Sequence, residues 1–470
     1  MVTIFKKQNL RIHMIGICGV GMSALAGMLQ SQGHMVTGSD TDVYPPISTQ
    51  LEKLQIPVCK GYSSDTPGKI KPDIVIIGNA ISRGNPEVEL VLNNRIPYFS
   101  MAGALYNFFL YDKEVIGVAG THGKTTTTSL LAYILEQAGM DPSFFIGGIP
   151  KNFETNYKVG SGRYFVIEAD EYDSAFFEKM PKFIMYRPVH CIMTSLEFDH
   201  ADIYNNIDEI AVWFTRLRNL IPANGCIVYN NAYSNLSTIN NDALSSTVSY
   251  GKMSADCCYR YQNEVLTITM DDMAINVTPH IYGDFNHQNI TAAVAMALTL
   301  QVPVGAIVMA INSFQGVKRR QEILFSNDYL TIIEDFAHHP TAISNVLTQV
   351  SEQYSDAAIV AIYEPRSATS RRNVFQDELP LAFSKAHKVI MKRPYRLDKV
   401  PAHEQIDIDR VINKLCQMQV PACVLGSVNE IVQEAFSGLS NKRTVMVVMS
   451  NGGFDGIYEL LLDYANNFFA

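Results

Sequence analysis

The sequence predicts an α/β protein of three domains built on mostly parallel sheets. Three observations lead there. Short apolar runs alternate with stretches of helical spacing along most of the chain. Three separate series of this kind begin, each with a strand-like run leading into a turn. At 470 residues the chain is also too long for one compact core. Changes of pattern place the domains at 1–111, 112–318 and 319–470.

Composition sets the class of partner. A hydrophobic content of 47% with 18% charged residues is ordinary for a soluble protein. The net charge of −9, without a dense run of Lys or Arg, argues against nucleic acid as a partner. The opening MVTIFKKQNL lacks the apolar core of a signal peptide, and no run of apolar residues is long enough to span a bilayer. The expectation is a cytoplasmic protein that does not enter membranes. The eight cysteines form no CxxC and no zinc spacing, which suits a reducing compartment. Adjacent Cys257 and Cys258 read as ordinary strand residues rather than as a redox pair.

In the first series Leu10–Ile17 is a short strand, and Gly16-Ile-Cys-Gly-Val-Gly21 is the turn after it. Met22, Ala24, Leu25, Met28 and Leu29 follow at helical spacing, which is the opening of a Rossmann-like unit. Further strands fall at His34–Asp40 and Asp73–Gly78, with a helix at Pro86–Asn93. Taken alone, Gly19-Val-Gly-Met-Ser-Ala24 with Asp40 about twenty residues on is also compatible with a dinucleotide such as NAD.

In the second series the strand Val115–Ala119 enters Gly120-Thr-His-Gly-Lys-Thr-Thr126, and a helix spans Thr126–Ala138. Backbone N–H groups of such a loop point at a phosphate, and the helix dipole adds to the attraction. Gly120 and Gly123 permit the turn, Lys124 neutralises the β- and γ-phosphates, and Thr125 offers a hydroxyl to Mg²⁺. Val118 stands where the general phosphate-loop pattern has glycine, so this loop is expected to be tighter. The strands Tyr164–Glu168 and Cys191–Thr194 join the same sheet, and the helix Gln288–Leu300 closes the segment. Glu168-Ala-Asp-Glu-Tyr-Asp173 and Leu196-Glu-Phe-Asp-His200 follow these two strands, so their acidic residues and His200 are expected at one C-terminal edge. Carboxylates beside a triphosphate suit a Mg²⁺ site. The third series runs through Tyr329–Asp335, Ala357–Tyr363, Lys388–Met391 and Thr444–Met449.

With these motifs assembled, the chain resembles the Mur ligases over nearly its whole length. The resemblance rests on residues 120–126, Glu168-Ala-Asp-Glu171, Phe198-Asp-His200, Gly283–Asn289, Lys318-Arg-Arg320 and Glu334–Thr341, in that order. It implies an N-terminal Rossmann-like domain for a UDP-sugar, a central P-loop ATPase domain, and a Rossmann-like C-terminal domain for the incoming amine. It further implies ATP at Gly120, Thr121, His122, Gly123, Lys124, Thr125 and Thr126, with Asn286 and Asn289 on adenine and Arg320 and Asp335 on phosphate and ribose. Mg²⁺ would be held by Thr125, Glu168 and His200, and Lys124, Glu168 and His200 would carry catalysis. UDP-N-acetylmuramate would lie on Gly16, Gly19, Gly21, Ser39, Asp40 and Asn79.

Within the family, Gly78–Pro86, Phe144–Pro150, Tyr186–Pro188, Glu364–Ser367 and Met449–Phe454 resemble the branch that recycles an intact murein tripeptide. That branch joins UDP-N-acetylmuramate to L-alanyl-γ-D-glutamyl-meso-diaminopimelate through an acyl phosphate, and Arg366 would contact the peptide. The same chemistry with L-alanine as amine donor is the alternative. Two other classes compete: an idle UDP-sugar sensor, opposed by the intact Lys124, Glu168 and His200, and a dehydrogenase using NAD at Gly16–Gly21. Ala368 and Ser370 depart from the Asn-Thr-Met usual after Glu-Pro-Arg-Ser, as Asp455 and Tyr458 do from the usual glycine and histidine.

Overall fold

The structure, a computed structural model, describes residues 9–43, 47–437, 439 and 443–469. The opening segment read above for a signal sequence therefore lies, apart from Asn9 and Leu10, outside the described residues. The chain divides into two compact units. One comprises Met1–Glu197, Asp208–His280 and His287–Gln315, and the other Phe198–Ile207, Ile281–Asn286 and Gly316–Ala470.

The first unit holds two sheets. The N-terminal sheet is parallel throughout, in the order Val58–Lys60, Met35–Asp40, Arg11–Ile15, Ile74–Ile77, Tyr98–Ser100. Ile74–Ile77 is buried at every position and Arg11–Ile15 at all but the first, as apolar runs covered on both faces must be. Successive strands lie on opposite sides of Arg11–Ile15, so a crevice opens beyond the ends of Arg11–Ile15 and Ile74–Ile77. Gly16 and Gly78 follow those two strands.

The central sheet has ten strands. Its middle is parallel, in the order Ser246–Gly251, Cys226–Asn230, His190–Met193, Glu114–Ala119, Tyr164–Glu168, Ser143–Phe145. Beyond taking Cys257 and Cys258 as strand residues, the sequence reading has no counterpart for the meander Cys257–Gln262, Val265–Met270, Met273–Val277 that extends one edge. Its strands alternate buried and exposed positions, so they lack the continuous apolar run that marks a central strand. Cys257 and Cys258 are strand residues with free thiols, as expected. The segment is not closed by the helix read at Gln288–Leu300. That helix begins a turn earlier, at Asp284–Thr299, and a further helix, Val304–Ser313, packs on Lys124–Gln137. Gln301 in the left-handed region (φ 59°) and Pro303 separate the two.

The second unit is a six-stranded sheet in the order Glu322–Ser326, Leu330–Asp335, Thr444–Met449, Ala358–Tyr363, Lys388–Lys392, Ala422–Leu425. All neighbours pair in parallel except the antiparallel edge strand Glu322–Ser326. Among the described residues no helix is long and apolar enough to cross a membrane.

Candidate active site

The loop after Glu114–Ala119 is shaped by its glycines. Gly120 has φ 139° and Gly123 φ 82°, conformations that side-chain-bearing residues rarely adopt. Space excludes larger residues as well: a Cβ on Gly120 would stand 2.1 Å from Thr194 Oγ1, and one on Gly123 2.3 Å from Asn289 Oδ1. The loop is stitched to the end of the neighbouring strand. Thr194 donates its hydroxyl to the carbonyl of His122 at 2.5 Å, and the His122 N–H donates to Ser195 Oγ at 2.8 Å. Thr121 Oγ1 receives the Glu197 N–H at 2.9 Å and donates to the Glu197 carbonyl at 3.2 Å. His122 Nε2 lies 3.2 Å from Glu197 Oε2, which fixes the imidazole. Gly123 then caps the helix Lys124–Gln137 without a side-chain bond, and a helix N-terminus of this kind favours an anion. Thr126 is half-buried on the first turn.

Lys124 Nζ donates to the Gly120 carbonyl at 2.6 Å and to Glu171 Oε2 at 2.9 Å. Burial alone would lower its pKa, but the carboxylates of Glu171, Asp170 and Glu168 outweigh that and hold it above the ordinary lysine value. Lys124 is therefore a fixed cation at the loop. Thr125 Oγ1 donates to Glu168 Oε2 at 3.1 Å, and the other Glu168 oxygen accepts the Gly147 N–H at 2.6 Å. Glu168 was read from sequence; Glu171 as the partner of Lys124 was not. Its signal was there, three residues on in the same acidic turn. Asn289 accepts from Thr127 Oγ1 at 3.3 Å and backs Gly123, so its amide supports the glycine turn.

The N-terminal glycine turn is built differently. Gly16, with φ 81°, and Ile17 donate their N–H groups to the Ser39 carbonyl at 2.8 and 3.2 Å. Asp40 accepts the Cys18 N–H at 2.9 Å and the Asp42 N–H at 3.1 Å, so this carboxylate braces the turn. The Ser39 hydroxyl is buried and donates to Glu87, which leaves its main chain to face the turn. Gly19 caps the helix Val20–Ser31, and Gly21 packs against Met101, where a Cβ would meet the sulfur at 2.8 Å. Asn79 is exposed beyond Ile74–Ile77.

In the second unit Asp199 and His200 occupy one tight turn. His200 has φ 55°, and its carbonyl accepts the N–H groups of Ile203 and Tyr204 at 2.8 and 3.0 Å. Asp199 accepts the His200 N–H at 2.7 Å and the Thr369 hydroxyl at 2.6 Å. Burial would raise its carboxyl, but His200, His338, Thr369 and His339 reverse this and hold it below the usual carboxylate range. Asp335 is buried, with one oxygen accepting the Gln321 N–H at 2.9 Å and the other the Ala337 N–H at 2.7 Å. Its pKa is raised by burial, against the pull of Arg320 and those two amides. Arg320 itself is exposed and lies over the Phe336 ring at 4.8 Å. Asn286 donates to the Tyr282 carbonyl at 2.7 Å.

Arg366 stacks on Tyr395 at 4.0 Å and approaches Glu364 at 3.5 Å. Glu364 is fully buried at the end of Ala358–Tyr363 and also receives Ser450 Oγ at 2.7 Å and Lys392 Nζ at 3.4 Å. Lys392 pairs in turn with Asp455, one of the two departures noted near the C-terminus. Sequence reading singled out Arg366 but missed the buried Glu364–Lys392 pair behind it, because the two sit on neighbouring strands.

A glycine turn opening a helix, a fixed lysine and a hydroxyl–carboxylate pair at adjacent strand ends define a nucleotide-dependent α/β enzyme. Three family profiles match in register: Mur ligase family, catalytic domain, over residues 11–111; Mur ligase middle domain over 118–297; and Mur ligase, glutamate ligase domain, over 319–452. The chain belongs to the Mur ligase family. It is 38% identical over 464 residues to the UDP-N-acetylmuramate–L-alanyl-γ-D-glutamyl-meso-2,6-diaminoheptandioate ligase of Escherichia coli (strain K12), spanning 97% of this chain and 98% of that one. A UDP-N-acetylmuramate–L-alanine ligase of Desulforapulum autotrophicum is 30% identical over 84% of this chain and 86% of its own. Among solved structures, a murein peptide ligase from Psychrobacter arcticus 273-4 superposes with a TM-score of 0.76 at 33% identity, covering 97% of this chain and 98% of that one.

Proposed function

We propose that this protein joins the carboxylate of UDP-N-acetylmuramate to the free amine of L-alanyl-γ-D-glutamyl-meso-diaminopimelate with hydrolysis of ATP to ADP and phosphate. The work is recycling of peptidoglycan fragments in the cytoplasm. The observation that carries this reading is the identity to ligases of that description over 97% of the chain, with the Lys124 loop intact.

A carboxylate is a poor electrophile, so it must be activated. Its oxygen attacks the γ-phosphorus of ATP, the bond from that phosphorus to the ADP oxygen breaks, and ADP leaves. The peptide nitrogen then attacks the acyl carbon, loses a proton, and the C–O bond to phosphate breaks from a tetrahedral intermediate. The protein's task is positioning and charge neutralisation. Gly120, Thr121, His122, Gly123 and Thr126 cradle the phosphates with backbone amides and the helix N-terminus, and Lys124 supplies a fixed positive charge.

Thr125 and Glu168, 3.1 Å apart, are the hard oxygen donors that suit Mg²⁺. A magnesium ion held there would neutralise phosphate charge. His200 joins the metal set, and Asn286, Asn289, Arg320 and Asp335 the ATP set, on the family resemblance. Gly16, Gly19, Gly21, Asp40 and Asn79 form the UDP-sugar end, with Ser39 acting through its main chain. L-Alanine as amine donor is the second reading, favoured by relatives of that description at 30% identity. Phosphate release tests the proposal: it is expected to require ATP, UDP-N-acetylmuramate and the tripeptide together, and release without the UDP-sugar would overturn it.

A further inference from the structure

The segment that carries Glu168 and Glu171 does not stop at the nucleotide loop. It continues into an antiparallel hairpin, Asp173–Ala175 with Glu178–Pro181, whose arms are joined by an Asp173–Lys179 ion pair. The tip of this hairpin, Phe176-Phe177, leaves the central domain and packs on the N-terminal sheet. There it covers the cluster of Ile15, Val75, Ile77, Ile81, Val88 and Val91. Phe177 meets Tyr98 edge-to-face at 5.0 Å, and the Ser100 hydroxyl donates to Glu178 at 2.5 Å. Ile15, Ile77 and Ser100 are the last residues of their strands, and Ile81 follows the Gly78 turn. The hairpin thus lands on the strand-end side of the N-terminal sheet, where the Gly16 turn lies.

The return arm is anchored just as firmly. Lys182 is buried, pairs with Asp170 at 3.0 Å and lies over the Tyr172 ring at 3.9 Å. Arg187 then reaches the N-terminal domain again, donating to Tyr106 OH at 3.1 Å and lying over its ring at 4.7 Å. One continuous stretch, 168–187, therefore runs from the phosphate loop's carboxylates to two separate docking points on 98–106.

We infer that this strap indexes the N-terminal domain on the nucleotide loop, making Phe177, Glu178 and Arg187 positioning residues for the attack of the UDP-sugar carboxylate on ATP. The inference rests on the ligase reading above. None of the three need touch either substrate. Their effect is on the distance between two bound groups, so it falls on turnover rather than on binding, and an error near 1 Å in such a geometry costs about a hundredfold.

The test uses the full chain with Phe177→Ala, Glu178→Ala and Arg187→Ala, set beside the conservative Phe177→Leu and Glu178→Gln. The alanine variants are expected to lower kcat about tenfold to a hundredfold, with the KM values for ATP and UDP-N-acetylmuramate within about twofold of the parent. The conservative variants are expected to recover most of the rate. Single-turnover trapping of the acyl phosphate is expected to show the same loss, which places the defect before amine attack. Full kcat in the alanine variants, or losses that follow the UDP-sugar KM or the melting temperature instead, would overturn the inference. A parent enzyme that makes no acyl phosphate from UDP-N-acetylmuramate would overturn the ligase reading instead.

Discussion

A single side chain, Lys124, shows how the loop converts composition into chemistry. Three carboxylates hold it charged in a half-buried setting, and its ammonium is tethered to the turn it serves. Removing it strips a charge-assisted contact from a water-poor site. Lys124→Ala is expected to lower turnover by about a thousandfold or more while calorimetry shows UDP-N-acetylmuramate affinity within about threefold of the parent, because the Gly16 turn belongs to another sheet. Collapse of both together would contradict the assignment of separate phosphate loops. Arg366 presents the opposite problem. Its guanidinium lies over Tyr395, its contact to Glu364 is long, and Ser450 already donates to that carboxylate at 2.7 Å. On the proposed reaction the guanidinium would offer donors to a peptide carboxylate, in a fork that lysine does not reproduce. Arg366→Lys is expected to raise the tripeptide KM about tenfold and to leave the ATP KM within about twofold in steady-state kinetics. Equal changes in both would make Arg366 a brace only.

At the scale of elements, the N-terminal sheet is held by a buried network. Glu87, on the helix Pro86–Asn93, accepts from the Ser39 hydroxyl and from the Ser63 N–H at 3.1 Å, and meets His13 Nε2 at 3.3 Å. Burial would raise its pKa, but the bonds to His13, Ser39 and Ser63 outweigh this and leave it lowered. A carboxylate depressed in the folded state contributes stability above its unfolded pKa of about 4.3, and that contribution is lost as pH falls through the folded value. Denaturant titrations are expected to show the parent losing stability below about pH 4.3, with Glu87→Gln less stable at pH 7 but flatter across that window. A Glu87→Gln curve parallel to the parent's would remove Glu87 from the acid response. The elements themselves were legible where the signal is strong: the strands Tyr164–Glu168 and Thr444–Met449, buried on both faces, and the helix Pro86–Asn93, opened by an Asn85 cap and a proline, stand where pattern places them. The meander Cys257–Val277 and the edge strand Glu322–Ser326 were not, because one-sided strands show only short, broken alternation.

For the whole molecule, the order of motifs along the chain disclosed the chemistry, since each loop carries its own signal of glycines, lysine or clustered acids. What it could not disclose were partners set by strand adjacency: Glu171 on Lys124, Thr194 and Ser195 under the phosphate turn, and Lys392 against Glu364. Nor could it show that the hairpin after Glu171 reaches the N-terminal sheet. These contacts depend on which strands become neighbours, a property of the folded sheet rather than of spacing. The central claim is the identity of the amine donor. The most direct measurement compares kcat/KM for the tripeptide and for L-alanine, with phosphate release read at saturating ATP and UDP-N-acetylmuramate. The tripeptide is expected to be preferred by about a hundredfold or more, the range that two to three kcal/mol of differential transition-state binding supplies. A preference for L-alanine of that size would contradict the account.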